Sequence, residues 1–452
     1  MLVFLMMTMS PVSLDSIPAP DPLEDSESRL KVIVSLISAN SPGFQEGSIY
    51  SNSTLSSGSH HTCSILDNGS VSCWGWNDKG QLGDGTTTNR LIPTQTLSLG
   101  VGKTAVSISA GFRHTCVILN DGTVSCWGSN ENGRLGDGTT TDRSMPTQTT
   151  SLGASAVVIA SGSDHTCAIL DNGNVKCWGR NLFGALGNGN TVSQSSPTHT
   201  YIPAGKTAVA ISAGSDHNCA VLDDGTVSCW GKNSNGEIGD GTNNHRNTPT
   251  PTSSLGIGRA AVAISAGGSR SCALLDDGSV SCWGHNGYGG LGDGTTTSRN
   301  TPAFTSSFAS GKTAIAISSA SYFSCALLDD FSVSCWGFNG YGQLGINSTN
   351  DNSEPIQTSS FGNGRTVIAI SSGGAHSCAI LDNASISCWG DNWVGAIGDG
   401  STTGKLTPSP SASLGYNRTV AVSERDTNGD GILNIFNAAP SIDTDGDGVE
   451  DN

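Results

Sequence analysis

The chain has 452 residues, of which 60 are glycine and 35% are hydrophobic, and its 21 Lys+Arg against 38 Asp+Glu give a formal net charge of −17. Enough apolar matter is present to bury a core, which excludes disorder throughout. The acidic balance argues against generic nucleic-acid or anionic-lipid binding, which draws on clustered Lys and Arg, and no apolar run approaches the roughly 20 residues of a membrane-spanning helix.

The apolar opening stretch, Leu2–Met9, has about the length of a signal-peptide core and is followed by small and Pro-containing residues. Residues 1–20 are therefore read as a possible export signal. Residues 21–47, with Pro22 and a cluster of Asp and Glu, read as a linker.

The cysteines come next and set the period. All 14 fall into pairs of one C-x9-C spacing: Cys63 with Cys73, Cys116 with Cys126, Cys167 with Cys177, Cys219 with Cys229, Cys272 with Cys282, Cys325 with Cys335 and Cys378 with Cys388. Zinc knuckles use shorter spacings with a second pair nearby. Between the cysteines lie turn sequences such as Asp67-Asn68-Gly69 and Asp223-Asp224-Gly225. A hairpin folded there sets the two cysteines opposite each other on adjacent strands, within disulfide reach. Seven such bridges imply an oxidising compartment.

Successive first cysteines are 53, 51, 52, 53, 53 and 53 residues apart. Each unit holds an alternating strand such as Ala105–Ala110, the cysteine hairpin, a Trp-Gly-x-Asn with a Gly-rich turn, and a Ser/Thr/Asn-rich loop ending in proline. Short strands and glycine turns at this period predict an all-β, seven-bladed β-propeller over 48–423. The first hairpin lacks the preceding strand, and a seventh copy follows the last hairpin at Arg418-Thr419-Val420-Ala421-Val422. That C-terminal strand is expected to complete the blade begun by Cys63–Trp74 and close the ring.

The run His114–Gly136 resembles the regulator of chromosome condensation repeat family, whose members are seven-bladed propellers. The resemblance covers roughly 48–423. The nuclear founder acts on chromatin and as a nucleotide exchange factor for a small GTPase. Cysteine pairs in place of ordinary strand residues, and the acidic charge, argue against carrying that activity over. The family also resembles secreted propellers that bind proteins.

His61, His114, His165, His217 and His376 share one repeat position, but Arg270 and Phe323 replace them in two blades. A catalytic or metal role does not tolerate phenylalanine there, so these histidines read as hydrogen-bonded structure. The Trp-Gly residues, Trp74 through Trp389, read as packing between blades. No nucleophile elbow, phosphate loop or metalloprotease helix occurs.

Between Trp-Gly and the fixed Asn the blades carry Trp76, Ser129, Arg180, Lys232, His285, Phe338 and Asp391, seven different residues. Just past that Asn come Phe183, Tyr288, Tyr341 and Trp393. A constant scaffold displaying variable, partly aromatic side chains at one level has the pattern of a protein-binding rim, with drift at exposed positions as the competing reading. The expected rim is Trp76, Arg180, Phe183, Lys232, His285, Tyr288, Phe338, Tyr341 and Trp393.

Residues 424–452 hold eight Asp/Glu and one Arg. Asp426, Asn428, Asp430 and Asn434, then Asp443, Asp445, Asp447 and Asp451, put oxygen side chains at positions 1, 3, 5 and 9 of two loops with glycine at 6, a spacing suited to Ca²⁺. Position 12 is Asn437 in the first loop rather than the glutamate of an EF-hand, so the tail resembles thrombospondin type 3 or dockerin-like calcium loops. The reading from sequence is thus a monomeric, extracellular or cell-surface protein-binding propeller, non-catalytic, with structural Ca²⁺ in its tail. The alternatives are an exchange-factor-like regulator of a small GTPase and a surface enzyme acting on carbohydrate or peptide.

Overall fold

A computed structural model of the protein describes residues 53–422, apart from 363, 416 and 417. The signal, linker and calcium-loop expectations lie outside the described residues. Within them the chain forms seven four-stranded antiparallel sheets, each with its strands in sequence order. The first blade consists of β1 (Leu55–Ser57), β2 (His61–Ile65), β3 (Val71–Gly75) and β4 (Arg90–Gln95). The second consists of β5 (Ala105–Ala110), β6 (His114–Leu119), β7 (Val124–Gly128) and β8 (Arg143–Gln148), and the pattern recurs to a last strand at Lys405–Pro410. No described helix is long and apolar enough to cross a membrane.

The hairpins form as their turn sequences dictate. Gly69 N donates to Leu66 O and Leu66 N to Ser70 O, both at 2.8 Å, which is a tight turn followed by one left-handed residue. Gly69 supplies that residue at φ 74°, while the sixth and seventh blades use Phe331 at 62° and Ala384 at 59°. Register then places Cys63 directly opposite Cys73, and the same pairing recurs in every blade.

All seven expected disulfides close. Cys63 is bonded to Cys73, Cys116 to Cys126, Cys167 to Cys177 and Cys219 to Cys229. Cys272 is bonded to Cys282, Cys325 to Cys335 and Cys378 to Cys388. The Cα–Cα distance is 4.1 Å in the first blade and 4.0 Å in the fourth, the close approach of directly opposed residues on paired strands.

The core is distributed between blades. One cluster joins Cys116, Ile118, Val124, Cys126 and Leu135 of the second blade to Ala156, Ile159, Leu170 and Trp178 of the third, and equivalents fill the other interfaces. Seven tryptophans are fully buried. Trp127 Nε1 donates to Gln81 O of the preceding blade at 2.9 Å, and Gly83 lies so close that a Cβ there would meet the indole at 2.8 Å. This contact explains the glycine that follows Leu or Ile at this place in each repeat.

The ring closes differently from the sequence expectation. The C-terminal segment does join the first blade, through a bridge of Val420 to Leu66 and Ala421 N donating to Ile65 O at 2.9 Å. It supplies only the outer half of the innermost strand, however. The inner half is β1, which the sequence expectation left out, with Leu55 opposite Ser64 and Ser57 opposite Thr62. In the second blade β5 alone spans both halves, from Ala105 opposite Leu119 to Ala110 opposite Thr115. The first blade's inner strand is therefore a composite of both ends of the propeller. Leu55 and Val420 bury together with Trp74, Ile380 and Ile397 of the seam, which leaves no unpaired sheet edge there.

Candidate functional site

An axial cavity of about 190 Å³ is lined by the small residues that end each inner strand, including Gly58, Gly111, Gly162, Gly214, Gly267 and Gly373. A Cβ on Gly111 would stand 2.4 Å from Gly162 O, so the blades meet backbone to backbone around the axis. Just outside runs the histidine belt. Nε2 of His61 reaches Thr115 Oγ1 at 2.9 Å, His114 reaches Thr166, His217 reaches Ser271, and His376 reaches Thr62 across the seam. Thr115 donates its own proton to Gln81 O, so His61 donates from Nε2. The partner of His165 is the Asn218 amide oxygen, which only accepts. Burial pushes the pKa of His61, His217 and His376 down to about 3, as neutrality of the belt requires. These histidines join blades through their Nε2 hydrogen bonds. Among the described residues no group of three or more His, Cys, Asp or Glu is placed to hold an ion.

The variable positions ride on loops whose backbone is fixed from below. Asn77, fully buried, accepts from Leu82 N at 2.9 Å and donates to Asp84 Oδ1, Thr86 O and Thr88 O. Asp84 in turn receives Arg90 Nε at 2.7 Å. Burial alone would raise the Asp84 pKa, but bonds from Thr86 and Arg90 outweigh it and hold the carboxyl below its usual range. The same asparagine recurs in all seven blades, from Asn130 to Asn392, and is buried in each. Trp76 N, Arg180 N, Lys232 N, His285 N and Phe338 N are each tied to the carbonyl of a residue ahead of the hairpin, at His60, Asp164, Asp216, Ser269 and Tyr322. Backbone and interior thus carry the loop.

The structure sorts the expected rim residues into three sectors. Across the seam, Trp76 and Trp393 lie 6.2 Å apart with His60 edge-on to both. Phe112 lies 6.3 Å from Trp76, and Arg113 stacks over Trp76 at 4.2 Å. Burial lowers the His60 pKa and raises that of Asp391, which stands 3.7 Å away. In the fifth and sixth blades His285, Tyr288 and Phe338 gather around Tyr322, and Tyr341 packs on Phe338, with ring separations from 5.0 Å to 6.4 Å. Between these clusters lies a charged sector. Arg180 bridges Asp164 and Asp216, and buried Arg134 contacts Asp164 at 2.6 Å, beside a cavity of about 360 Å³. Burial, partly offset by Asp164, pulls the Arg134 pKa below its usual value. Phe183 belongs to neither aromatic cluster; it packs on His245 at 4.8 Å with Lys232 6.0 Å above it.

Sequence reasoning missed His60, Phe112, Arg113 and Tyr322. A signal existed: the residue three before each first cysteine is His60, Arg113, Asp164, Asp216, Ser269, Tyr322 or Ala375. It varies almost as freely as the position of Trp76 and belongs to the same surface.

Comparison with known proteins gives a consistent result. The model of the RCC1-like domain matches residues 38–268 and again 97–425, overlapping as a repeat does when laid on itself in more than one register. The ultraviolet-B receptor UVR8 of Arabidopsis thaliana is 31% identical over 360 residues, 78% of this chain and 80% of that protein. The human E3 ubiquitin-protein ligase HERC2 is 30% identical over 357 residues, which are 78% of this chain but 7% of that protein. Among solved structures, yeast RCC1 (Prp20) bound to Kap60 superposes with a TM-score of 0.68 at 17% identity, covering 90% of this chain and 91% of that one. Human WBSCR16 gives 0.67 at 21% identity, covering 76% and 94%. At those identities the structures testify to the fold alone.

Proposed function

The chain belongs to the RCC1-like domain family of seven-bladed propellers, and from that premise we propose that it is a non-catalytic protein-binding module whose partner seats on the variable rim. One observation carries the reading. The side chains that differ from blade to blade stand on loops fixed by an invariant interior asparagine, and those of blades one and seven and of blades five and six collect into exposed aromatic clusters. Trp393 is 57% exposed and Tyr341 54%, in loops whose packing does not use them. The structure of yeast RCC1 holding Kap60 supports protein binding as a use of this architecture.

The working environment is extracellular or cell-surface. Seven disulfides, with no free cysteine among the described residues, support that assignment. The tail binds Ca²⁺ through Asp426, Asn428, Asp430 and Asn434 and through Asp443, Asp445, Asp447 and Asp451, an assignment that rests on their spacing.

The decisive experiment inserts a photo-crosslinking residue at Trp393 or Tyr341 and, as a control, at Asn172 in a hairpin turn. With native cell-surface material the rim positions are expected to capture a partner that Asn172 does not, and capture at Trp393 is expected to disappear in Trp76→Ala. Equal capture from both positions, or indifference to Trp76→Ala, would refute the rim as the docking face. Calorimetry of the full chain with Ca²⁺ tests the tail, and the absence of heat at millimolar ion refutes that assignment.

A further inference from the structure

The two aromatic clusters differ in what lies beneath them. Under the second, the place that five blades give to a neutral histidine is taken by Arg270, which is 1% exposed. Its Nε donates to Ser324 Oγ at 3.1 Å, Nη1 to Ser321 O at 3.4 Å, and Nη2 to Ala320 O at 3.1 Å and to Phe323 O. Those carbonyls bracket Tyr322, so the guanidinium holds the loop that presents Tyr322 to solvent. Gly290 admits it, since a Cβ there would stand 2.8 Å from Nη1. Other blades carry Gln81, Arg134, Ala185, Glu237, Gln343 or Ala396 at that place.

No carboxylate among the described residues pairs with Arg270. Its neighbours are carbonyls, one hydroxyl and rings. Burial lowers its pKa to about 9, which leaves the group charged at neutrality. The seam cluster is different, because Arg113 there faces Asp78 at 3.8 Å and His60 faces Asp391. Beside Tyr322, whose loop Arg270 holds, stand the rings of His285, Tyr288 and Phe338, with Tyr341 packed on Phe338, and Tyr288 and Tyr322 are 43% and 47% exposed. Burial and the field of Arg270 depress the His285 pKa, while Glu237 opposes them. A lone cation under an aromatic surface, in a chain of net charge −17, marks this as a place where negative charge is welcome.

Building on the rim reading, we propose that this cluster takes a partner segment in which a carboxylate is flanked by apolar side chains. The carboxylate sits over Arg270 and its apolar neighbours lie among the rings of Tyr288, Tyr322 and Phe338. At an effective dielectric of about 20, a unit charge about 6 Å from the guanidinium gains roughly tenfold to a hundredfold in affinity. The rings contribute apolar contact and the three tyrosine hydroxyls contribute donors.

The test uses the full, disulfide-bonded chain and a displayed library of short random peptides, followed by synthetic binders blocked at both ends. The key variant is Arg270→His, which gives blade 5 the residue used by five other blades and so preserves the belt while neutralising the site. Binders lost in Phe338→Ala are expected to carry Glu or Asp between apolar residues, and to weaken at least about tenfold both in Arg270→His and when that Glu or Asp becomes Gln or Asn. Binding that needs a free C-terminus instead of a side-chain carboxylate supports the same chemistry from the other source. If binders depend on Phe338 but ignore Arg270→His, the carboxylate preference is wrong while the rim reading stands. If no selected peptide depends on Phe338 or Tyr322, the proposal is overturned outright, and binders mapping to Trp76 and Trp393 would then retain the rim reading on the seam alone.

Discussion

The belt beneath the rim and the rim itself are made of adjacent residues yet obey opposite rules. In the belt, the next blade's hydroxyl or amide and the tryptophan below it share a carbonyl acceptor at six of the seven interfaces, Trp178 Nε1 being without a partner at the other. Gln81 O, for example, receives both Thr115 Oγ1 and Trp127 Nε1 at 2.9 Å. On the rim, a few ångströms away, no two blades present the same residue after Trp-Gly. The difference shows where this fold fixes its side chains. Groups that join blades are constrained by buried polar atoms that must be paired, whereas rim loops are held by the interior asparagine and by glycine, which frees their exposed side chains to change. Blades five and six break both rules together, since Arg270 and Phe323 depart from the belt just where the rim becomes tyrosine-rich.

That contrast can be broken most forcefully with two tryptophans. Trp230→Ala, in the belt, is expected to cost about 3–5 kcal/mol through cavity formation and loss of the 2.9 Å bond to Ala185 O. Trp393→Ala, on the rim, should stay within about 0.5 kcal/mol. Urea denaturation of both variants checks this, and comparable losses would erase the distinction.

The hairpin bridges come next. Replacing Cys219 and Cys229 together by alanine removes a ten-residue crosslink. A loss of about 2–3 kcal/mol at unchanged native structure is expected from the chain-entropy estimate, read as a shift of the denaturation midpoint.

Acidification sharpens the comparison by addressing mainly the belt, where five histidines are held neutral by burial, against His60 and His285 on the rim. His61, His217 and His376 titrate near 3 when folded and near 6.5 when unfolded, so the unfolded chain binds more protons between those values. Their contribution is complete above about pH 6.5 and is lost progressively as pH falls toward 3, by up to about 1.4 kcal/mol per pH unit for each histidine. The carboxyls held low by hydrogen bonds from threonine and arginine, Asp84 and Asp240 among them, add their own loss as pH falls through the ordinary value of 3.8. Between 4 and 6.5 the slope reports the buried histidines, and His217→Phe should reduce it by that residue's share while His60→Phe changes it less.

The smallest effect concerns a turn. Phe331 holds a left-handed conformation at φ 62° that glycine occupies in five blades. Phe331→Gly is expected to stabilise the protein by about 1 kcal/mol, measurable as a rise in the thermal midpoint of a few degrees at most.

Much of this molecule was legible before folding. The C-x9-C spacing, the turn residues and the period of the first cysteines specify hairpin, bridge and blade count, because each is a local feature repeated in every unit. The aromatic rim was legible in part, at Trp76, Tyr288, Phe338, Tyr341 and Trp393. Its other half was overlooked because His60, Arg113 and Tyr322 lie in short irregular links with no periodic mark of their own. The composite strand escaped for a related reason: β1 reads only Leu-Ser-Ser, too short to alternate.

By itself, then, the sequence determined the blade, its bridge and the number of copies, since propensity, turn chemistry and cysteine spacing act within a few residues of one another. Only the tertiary structure decided which residues meet across blades. Leu66 finds Val420 and Arg418 pairs with Asp67, 351 positions apart. Arg270 reaches the carbonyls around Tyr322 because the ring brings neighbouring copies into contact at one repeat's remove. No local pattern encodes such meetings; they follow from closure, which sets each blade's buried edge and most of its belt polar groups against partners on the next blade.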